Sequence, residues 1–509
     1  MQGMRIVFWV ALGLGLWELA LSGQSTVLIS SPRAILAYFI DNAGLLSRAA
    51  VETTLNAAQG FIWGNLAAML LAGAIILAPR SERALSALAL LVFCIPLIAS
   101  GPILRVLFGP GTGPQITLAA LAVYFTTLLV LLVGLRAISQ TWTDLMAIYG
   151  RGRFSTLIKV RARASLPFLF TGLQISAPAA FLGAMIGEFT GAERGLGVLT
   201  LRAMRGLETD ATWGLALLAA LIAMLAYGAI GLLGRRAVGY TPVILLTASS
   251  AACARSPLMR LIEMGAIAAL VLLLWQVSMD AFDLNAFFAK RPGDVWAFLA
   301  VPANRTTLFS ALSETLAFAL PGYIAGLALG AGLAALLALA PALSSAMLPV
   351  AIALRAVPII TTAPLLVLAF GRGIVGTAVV VAVMIFFPTL VACQQGLRQT
   401  PGQIVDLFAS YRASRWTLLR TAQIPAMLPG LFASTRMAVP AALLAVTTVE
   451  WLATGKGIGV LMAMTASTSN YAMLWSCVVV LAAVAMAVYG AVAALERAVL
   501  RIYAREQVI

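Results

Sequence analysis

Four acidic residues fall into two pairs with a single spacing. Asp144 and Asp406 are 262 positions apart (406 − 144), and so are Glu188 and Glu450 (450 − 188). Asp144 and Asp406 lie in polar, basic stretches, where a carboxylate suits the start of a helix or an ionic contact with another protein. Glu188 and Glu450 close apolar runs, just before Gly195-x-Gly197 and Gly457-x-Gly459. A carboxylate there is a candidate for a translocation path or a brace for the glycine-rich segment, and the brace is favoured. Neither pair suits catalysis. The chain has no His, and no nucleophile stands beside a base, so an enzyme reading is poor. Cys94, Cys393 and Cys477 sit in apolar stretches and Cys253 in a linker, with no metal-ligand or redox spacing. No metal, haem or thiol chemistry is expected.

The elements that position these residues are membrane helices. Of 509 residues 62% are hydrophobic and 10% charged, with a mean hydropathy of +1.01, which no soluble fold requires. Runs long enough to cross a bilayer fall near 6–22, 54–78, 84–107, 115–137, 169–188 and 211–234, then 259–280, 312–339, 345–370, 374–395, 430–452 and 473–496. The run from Ile6 to Leu21 is read as a span and not a cleaved leader, because it has an internal twin. The expected fold is all-α and polytopic: about 12 transmembrane helices as two parallel-oriented six-helix repeats. The net charge of +15 reflects basic loops on one side, with Arg80, Arg83, Arg136, Arg151, Arg153, Lys159, Arg235, Arg398, Arg420 and Arg497 among them. This places both termini in the cytoplasm and makes nucleic acid a poor partner.

The repeat is ungapped. Pro96 and Pro102 match Pro358 and Pro364; Pro167 and Pro178 match Pro429 and Pro440; Trp213 matches Trp475; and every pair is offset by 262 (358 − 96, 475 − 213). Trp17 and Trp275 mark the first span of each half. The division expected is 1–238, a cytoplasmic linker at 239–257, and 258–509. Equal orientation of the halves implies an axis along the membrane normal, a transporter design.

The longest basic loops lie at about 137–168 and 399–430. The second reads "DLFASYRASRWTLLRTAQIPAMLPG" from Asp406 to Gly430. Helix formers predict one cytoplasmic helix over 406–421 with Asp406 at its acidic start. Pro425 is then expected to end it and Pro429 to begin the membrane helix, making a rigid corner. This segment resembles the "EAA" loop of importer-type ABC permeases. Asp406 takes the Glu position, Arg412 the Gly position and Ile424-Pro425 the Leu-Pro position; in half one Asp144 and Gly150 fit, while Arg163 replaces the first proline. Both copies lack the two alanines, having Leu145-Met146 and Leu407-Phe408. The wording "ASRWTLLRTAQIPAMLPG" is similar to the nitrate/sulfonate/taurine branch, as are "EFTGAERGLGVL" and "EWLATGKGIGVL" at Glu188–Leu199 and Glu450–Leu461 and "AVPIITTAPLLVLAFGRG" at Ala356–Gly373. The usual permease of that branch is one half, working as a dimer; this chain looks like the dimer fused.

The resemblance implies a type I ABC importer-like permease in a bacterial inner membrane. Its partners would be two copies of a cytoplasmic ABC ATPase and a periplasmic or extracellular solute-binding protein. ATP and Mg would be bound by the ATPase, since this chain has no GxxxxGK[ST] and holds no cofactor of its own. The ATPase-coupling residues implied are Asp144, Gly150, Asp406, Tyr411, Arg412, Arg415, Trp416, Pro425 and Pro429. Candidates for the path are Asn56, Gln59, Pro96, Pro102, Arg105, Pro358, Pro364, Glu188 and Glu450. The prolines are expected to kink the third spans. Arg105 is placed to attract an anion at the outer mouth. Asn56, Gln59 and Asn65 either line the path or bond a neighbouring helix. Arg436, whose twin is Gln174, is expected to snorkel to the interface, with a substrate role as the sharper alternative. The substrate class implied is a small sulfonate, taurine, nitrate or thiamine-precursor-like solute. Alternatives are an ion- or proton-coupled secondary transporter, an ABC permease for a metal ion or other solute, or a scaffold that recruits an ATPase. The ion-coupled reading needs acids or His in mid-span, and none is found there.

Overall fold

The structure, a computed structural model, describes residues 30–109, 111–239, 257–340, 363, 366, 367 and 369–503. The expected first span with Trp17, the linker from 240 to 256 with Cys253, and Pro358 and Pro364 lie outside the described residues. Among the described residues regular structure is helical throughout. In half one these helices are α1 (Ala43–Leu77), α2 (Glu82–Cys94), α3 (Leu97–Phe108), α4 (Gly113–Arg136), α5 (Gln140–Ile148), α6 (Leu166–Phe189), α7 (Leu196–Arg205) and α8 (Thr209–Val238). In half two they are α9 (Pro257–Ala281), α10 (Pro302–Leu339), α11 (Ile374–Arg398), α12 (Gly402–Ser410), α13 (Ile424–Val449), α14 (Ile458–Ser467) and α15 (Tyr471–Tyr503). Among the described residues, eight helices are long and apolar enough to cross a bilayer, and the bent pair α2–α3 makes a ninth candidate. The chain is a multi-pass all-α membrane protein.

Several helices are longer than the bilayer needs. The span containing α13 runs from Arg415 to Leu452, 38 residues; at about 1.5 Å per residue that is nearly twice a hydrocarbon core of about 30 Å. One end must therefore project into water as rigid helix, and it carries the long loop. Two short helices preceding α1 and α10, Pro32–Asp41 and Pro292–Ala300, were not expected from the spans. Each opens on a proline in its first turn, where a missing N–H costs nothing.

Small residues let the spans approach. Gly60 and Gly64 of α1 face Ala119, Ala120 and Val123 of α4, and Gly322 and Gly326 of α10 face Ala378, Val381 and Ala382 of α11. A methyl group at any of the four would overlap the opposite helix, so each Gly-x-x-x-Gly pair fixes one crossing. The largest core cluster joins the halves: Cys94 and Ile98 from half one share it with Ala438, Ala442 and Cys477 from half two. α2 and α3 pack on α15, and α3 also meets α13.

The third span differs from expectation. It is not one kinked helix over 84–107 but two helices bent by 91°. Ile95 (ψ 124°) and Pro96 (ψ 119°) are both extended, because the pyrrolidine ring disfavours α conformation in the residue before it and supplies no N–H. Pro102 lies inside α3, buried, and causes no second break.

Candidate functional site

At one end of the bundle the two long loops follow the same path. α5 ends at Tyr149, and the chain turns at Gly150, whose φ is +64°. α12 ends at Tyr411, and the chain turns at Arg412, φ +49°. In each turn a later amide reaches back over five residues, Arg151 to the Met146 carbonyl and Ala413 to the Phe408 carbonyl, both at 2.9 Å. This closes the helix end in the Schellman manner. A second helix then starts, capped in half two by Ser414, whose Oγ accepts the Thr417 amide at 3.1 Å. In both halves it widens into a π-turn, Leu157–Arg161 and Leu419–Gln423.

The expected proline corner is therefore absent. The single helix over 406–421 is divided at Tyr411–Arg412, and Asp406 is mid-helix, because α12 begins four residues earlier at Gly402 behind Pro401. Asp144 is likewise in the second turn of α5. Pro425 and Pro429 do not terminate anything; helix runs through both from Arg415 to Leu452. The π-turn just before Pro425 shifts the hydrogen-bond register and makes room for a ring that would clash in a regular helix.

The two loops present similar surfaces. Asp144 and Asp406 are exposed. Trp142, Ile148 and Tyr149 in half one, and Leu407, Tyr411 and Trp416 in half two, are exposed apolar side chains. Carried on α5, α12 and the turns and helix start that follow them, they make an exposed apolar surface flanked by arginines and one carboxylate in each loop, of the kind that marks a protein interface. Arg415 instead turns back and donates to the Leu339 carbonyl at 3.3 Å, tying the second helix to the end of α10.

At the other end the two buried carboxylates perform one task twice. Glu188 accepts the Thr53 hydroxyl at 2.7 Å and the Gly197 amide at 2.6 Å, while Thr53 Oγ1 accepts the Leu196 amide at 2.8 Å. Glu450 accepts the Thr315 hydroxyl at 3.0 Å and the Gly459 amide at 2.8 Å, while Thr315 Oγ1 accepts the Ile458 amide at 2.9 Å. Both carboxylates are 1% exposed. They hold the first turns of α7 and α14, whose amide groups would otherwise be unsatisfied. The glycines of the motif are explained by this clamp. Gly195 (φ +125°) and Gly457 (φ +90°) abut the carboxyl groups, and a Cβ at Gly197 or Gly459 would overlap the Glu Cβ at 2.8 or 2.6 Å. Thr53 and Thr315 escaped the sequence reading, although they share the 262-residue offset (315 − 53).

The other candidates separate. Asn56 and Asn65 are buried on the inner stripe of α1, and Asn65 accepts the Thr127 hydroxyl at 2.6 Å. Gln59 falls on the outer face with Ile62 and Trp63, and the structure does not bring it to the others. Arg105 reaches the glycine-rich loop, where a Cβ on Gly191 would stand 3.7 Å from its Nε. Arg436 does not snorkel to an interface; it turns inward to Glu496, 3.2 Å away on α15.

A doubled all-α plan of membrane spans, a clamped glycine-rich segment in each half and a pair of exposed loop helices at one end define a membrane permease of the ABC type. The chain matches the family described as "Binding-protein-dependent transport system inner membrane component" twice, over residues 61–239 and 322–501, and it belongs to that family. It is 28% identical over 230 residues to a "Probable ABC transporter permease protein" of Haemophilus influenzae, covering 93% of that protein and 45% of this chain. It is similar to the riboflavin transport system permease protein RibX of Chloroflexus aurantiacus, 28% identical over 87% of that protein and 46% of this chain. It is also similar to the formylaminopyrimidine transport permease protein ThiX of Halalkalibacterium halodurans, 27% identical over 75% of that protein and 37% of this chain. Each relative is thus about the size of one half, and the double family match makes this chain a fused two-half permease.

Proposed function

We propose that this chain is the complete membrane pathway of a binding-protein-dependent ABC importer, with both permease halves in one polypeptide. The halves are 1–238 and 258–509, joined by a linker at 239–257. It resides in the bacterial inner membrane with both termini and both long loops in the cytoplasm. A solute-binding protein delivers a small solute from outside, of the sulfonate, taurine, nitrate or thiamine-precursor kind. Two copies of a separate ATPase bind ATP and Mg and dock on α5 and α12.

The observation that carries this reading is the twinned pair of exposed loop helices, each joined to a span that enters the bundle. Asp144, Gly150, Asp406, Tyr411, Arg412, Arg415 and Trp416 are the coupling residues. When the ATPases close, the load on α12 passes through the turn at Arg412 into the continuous helix from Arg415 to Leu452. A helix transmits an axial push without nucleating new structure, so a small loop displacement tilts α13 against α11 and α15. Pro425 and Pro429 lie in this lever, and α3, which carries Pro102 and Arg105, packs against α13; Pro96, Asn56, Pro358 and Pro364 remain candidates for the path, the last two outside the described residues. Glu188 and Glu450 keep the outer segments rigid while the inner ends move. The alternating path follows from which end of the bundle is open.

The test is purification of the tagged chain from its native membrane under gentle conditions, with quantitative mass spectrometry. Two copies of a Walker-motif ATPase per chain are expected. Absence of any ATPase after crosslinking in the presence of an ATP analogue would overturn the reading in favour of an ion-coupled carrier.

A further inference from the structure

Between the halves, at the end of the bundle that carries the long loops, lies a cavity of about 480 Å³. That volume suits a small organic molecule. Half one supplies its apolar wall, including Phe125, Leu128 and Leu132, and half two supplies Arg436 and Tyr489. The charges in it differ in kind. Glu82 and Arg136 form a close pair at 2.5 Å and satisfy each other. Arg436 and Glu496 are a looser pair: Arg436 Nε is 3.2 Å from Glu496 Oε2 but is not aimed at it well enough to form a hydrogen bond. The guanidinium lies 5.8 Å from the ring centroid of Tyr489, which holds it by a cation–π contact. Its side chain keeps 18% exposure, so a solute can reach it.

A guanidinium within a membrane bundle, oriented by an aromatic ring and left with donors to spare, is suited to an oxyanion. Half one has no counterpart: the twins of Arg436, Tyr489 and Glu496 are Gln174, Tyr227 and Gly234. The cationic position therefore occurs in half two only.

We propose that this cavity is an anion-binding station on the solute's route. Arg436 takes the carboxylate or sulfonate group of a small organic anion, displacing Glu496, while the solute's apolar body lies against Phe125, Leu128 and Leu132. Glu496 is then the competing carboxylate that reoccupies Arg436 after release and keeps the station from trapping its cargo. This rests on the import reading and narrows its substrate to organic anions.

The test titrates the chain in lipid nanodiscs, with and without its ATPase subunits, against benzoate, propane-1-sulfonate and neutral benzamide, read by ligand-observed saturation-transfer NMR. At least one anion is expected to bind and benzamide is not. R436Q, which installs the residue already present at the twinned position, weakens anion binding about tenfold, the scale of one charge-assisted contact. E496Q removes the competitor and tightens it. A merely structural ion pair predicts that both variants act in the same direction. Equal binding of benzamide and benzoate, no binding of either anion, or R436Q and E496Q shifting Kd alike or not at all would overturn the proposal. Failure of the ATPases to associate is seen separately, because the chain alone is titrated as well.

Discussion

The loops of the two halves follow one backbone path with different residues at its tight points. Where half one has Gly150, Gly152 and Arg163, half two has Arg412, Ser414 and Pro425. Yet the positive φ, the back-bonded turn and the π-turn recur at the same offsets. The path is therefore imposed by hydrogen bonding and by the neighbouring spans, not by residues that merely permit it. The departure lies one turn further on. In half one the helix is interrupted at Ser165, so that Arg153–Ala164 and α6 are separate pieces; in half two it is unbroken. The half with the additional proline carries the unbroken lever. A second proline does not soften a helix whose register the π-turn has already adjusted.

The outer clamps are the opposite case, with identical Thr, Glu and Gly residues joined to the same partners, Glu188 through both its oxygens and Glu450 through Oε2 alone, and they give the largest expected effect. Removing the carboxylate by Glu188→Ala leaves the Gly197 amide and the Thr53 hydroxyl without an acceptor, and Glu450→Ala leaves the Gly459 amide without one while Thr315 keeps the Ala311 carbonyl at 3.1 Å, at about 1–3 kcal/mol per orphaned group. The thermal unfolding midpoint of the purified chain should fall for both variants, and more for Glu188→Ala. A drop in one and none in the other would break the equivalence of the halves. Each clamp carboxylate has a second one beside it, Glu52 by Glu188 and Glu314 by Glu450 (314 − 52 = 262), and in half two Glu314 also accepts the Gly457 amide at 3.0 Å, so comparing E314A with E52A sharpens the comparison further.

Next is the docking patch. Asp144→Lys and Asp406→Lys reverse an exposed charge on α5 or α12 and disturb no packing. Each should lower the amount of ATPase retained on the purified chain several-fold with insertion unchanged. Because both sites are equally exposed, similar losses are expected. Normal retention and transport in the Asp406→Lys variant would remove the coupling role of that residue.

How much of this was legible follows from where each signal resides. The multi-pass all-α fold and its doubling were legible, because apolar run length and the 262-residue offset are read directly from the sequence. The Glu-x6-Gly-x-Gly segment was legible as a motif, but its partner Thr53 lies 135 positions from Glu188, and only the fold brings them within hydrogen-bond distance. The proline corner was misread because a proline's effect depends on the register of the turn before it, and a π-turn has no composition signature. Arg436 was misread for a similar reason: from one helix it looks peripheral, and only α15 supplies Glu496 and Tyr489.

The smallest effect is the most direct test of whether the path is imposed. If neighbours force Arg412 into the left-handed region, the side chain carries a strain that glycine does not, of about 1 kcal/mol. Arg412→Gly should therefore raise thermal stability slightly, while Gly150→Arg should lower it by a comparable amount, since nothing lies within 4 Å of a Cβ at Gly150 and only backbone strain would be added. The Arg412 variant loses a charge at the docking surface, so Arg412→Asn, which tolerates the left-handed region better, separates strain from charge. A gain for both Gly and Asn assigns the effect to the backbone. A loss for both would mean that the Arg412 side chain makes a stabilising contact of its own, and that the two turns share a shape for different reasons.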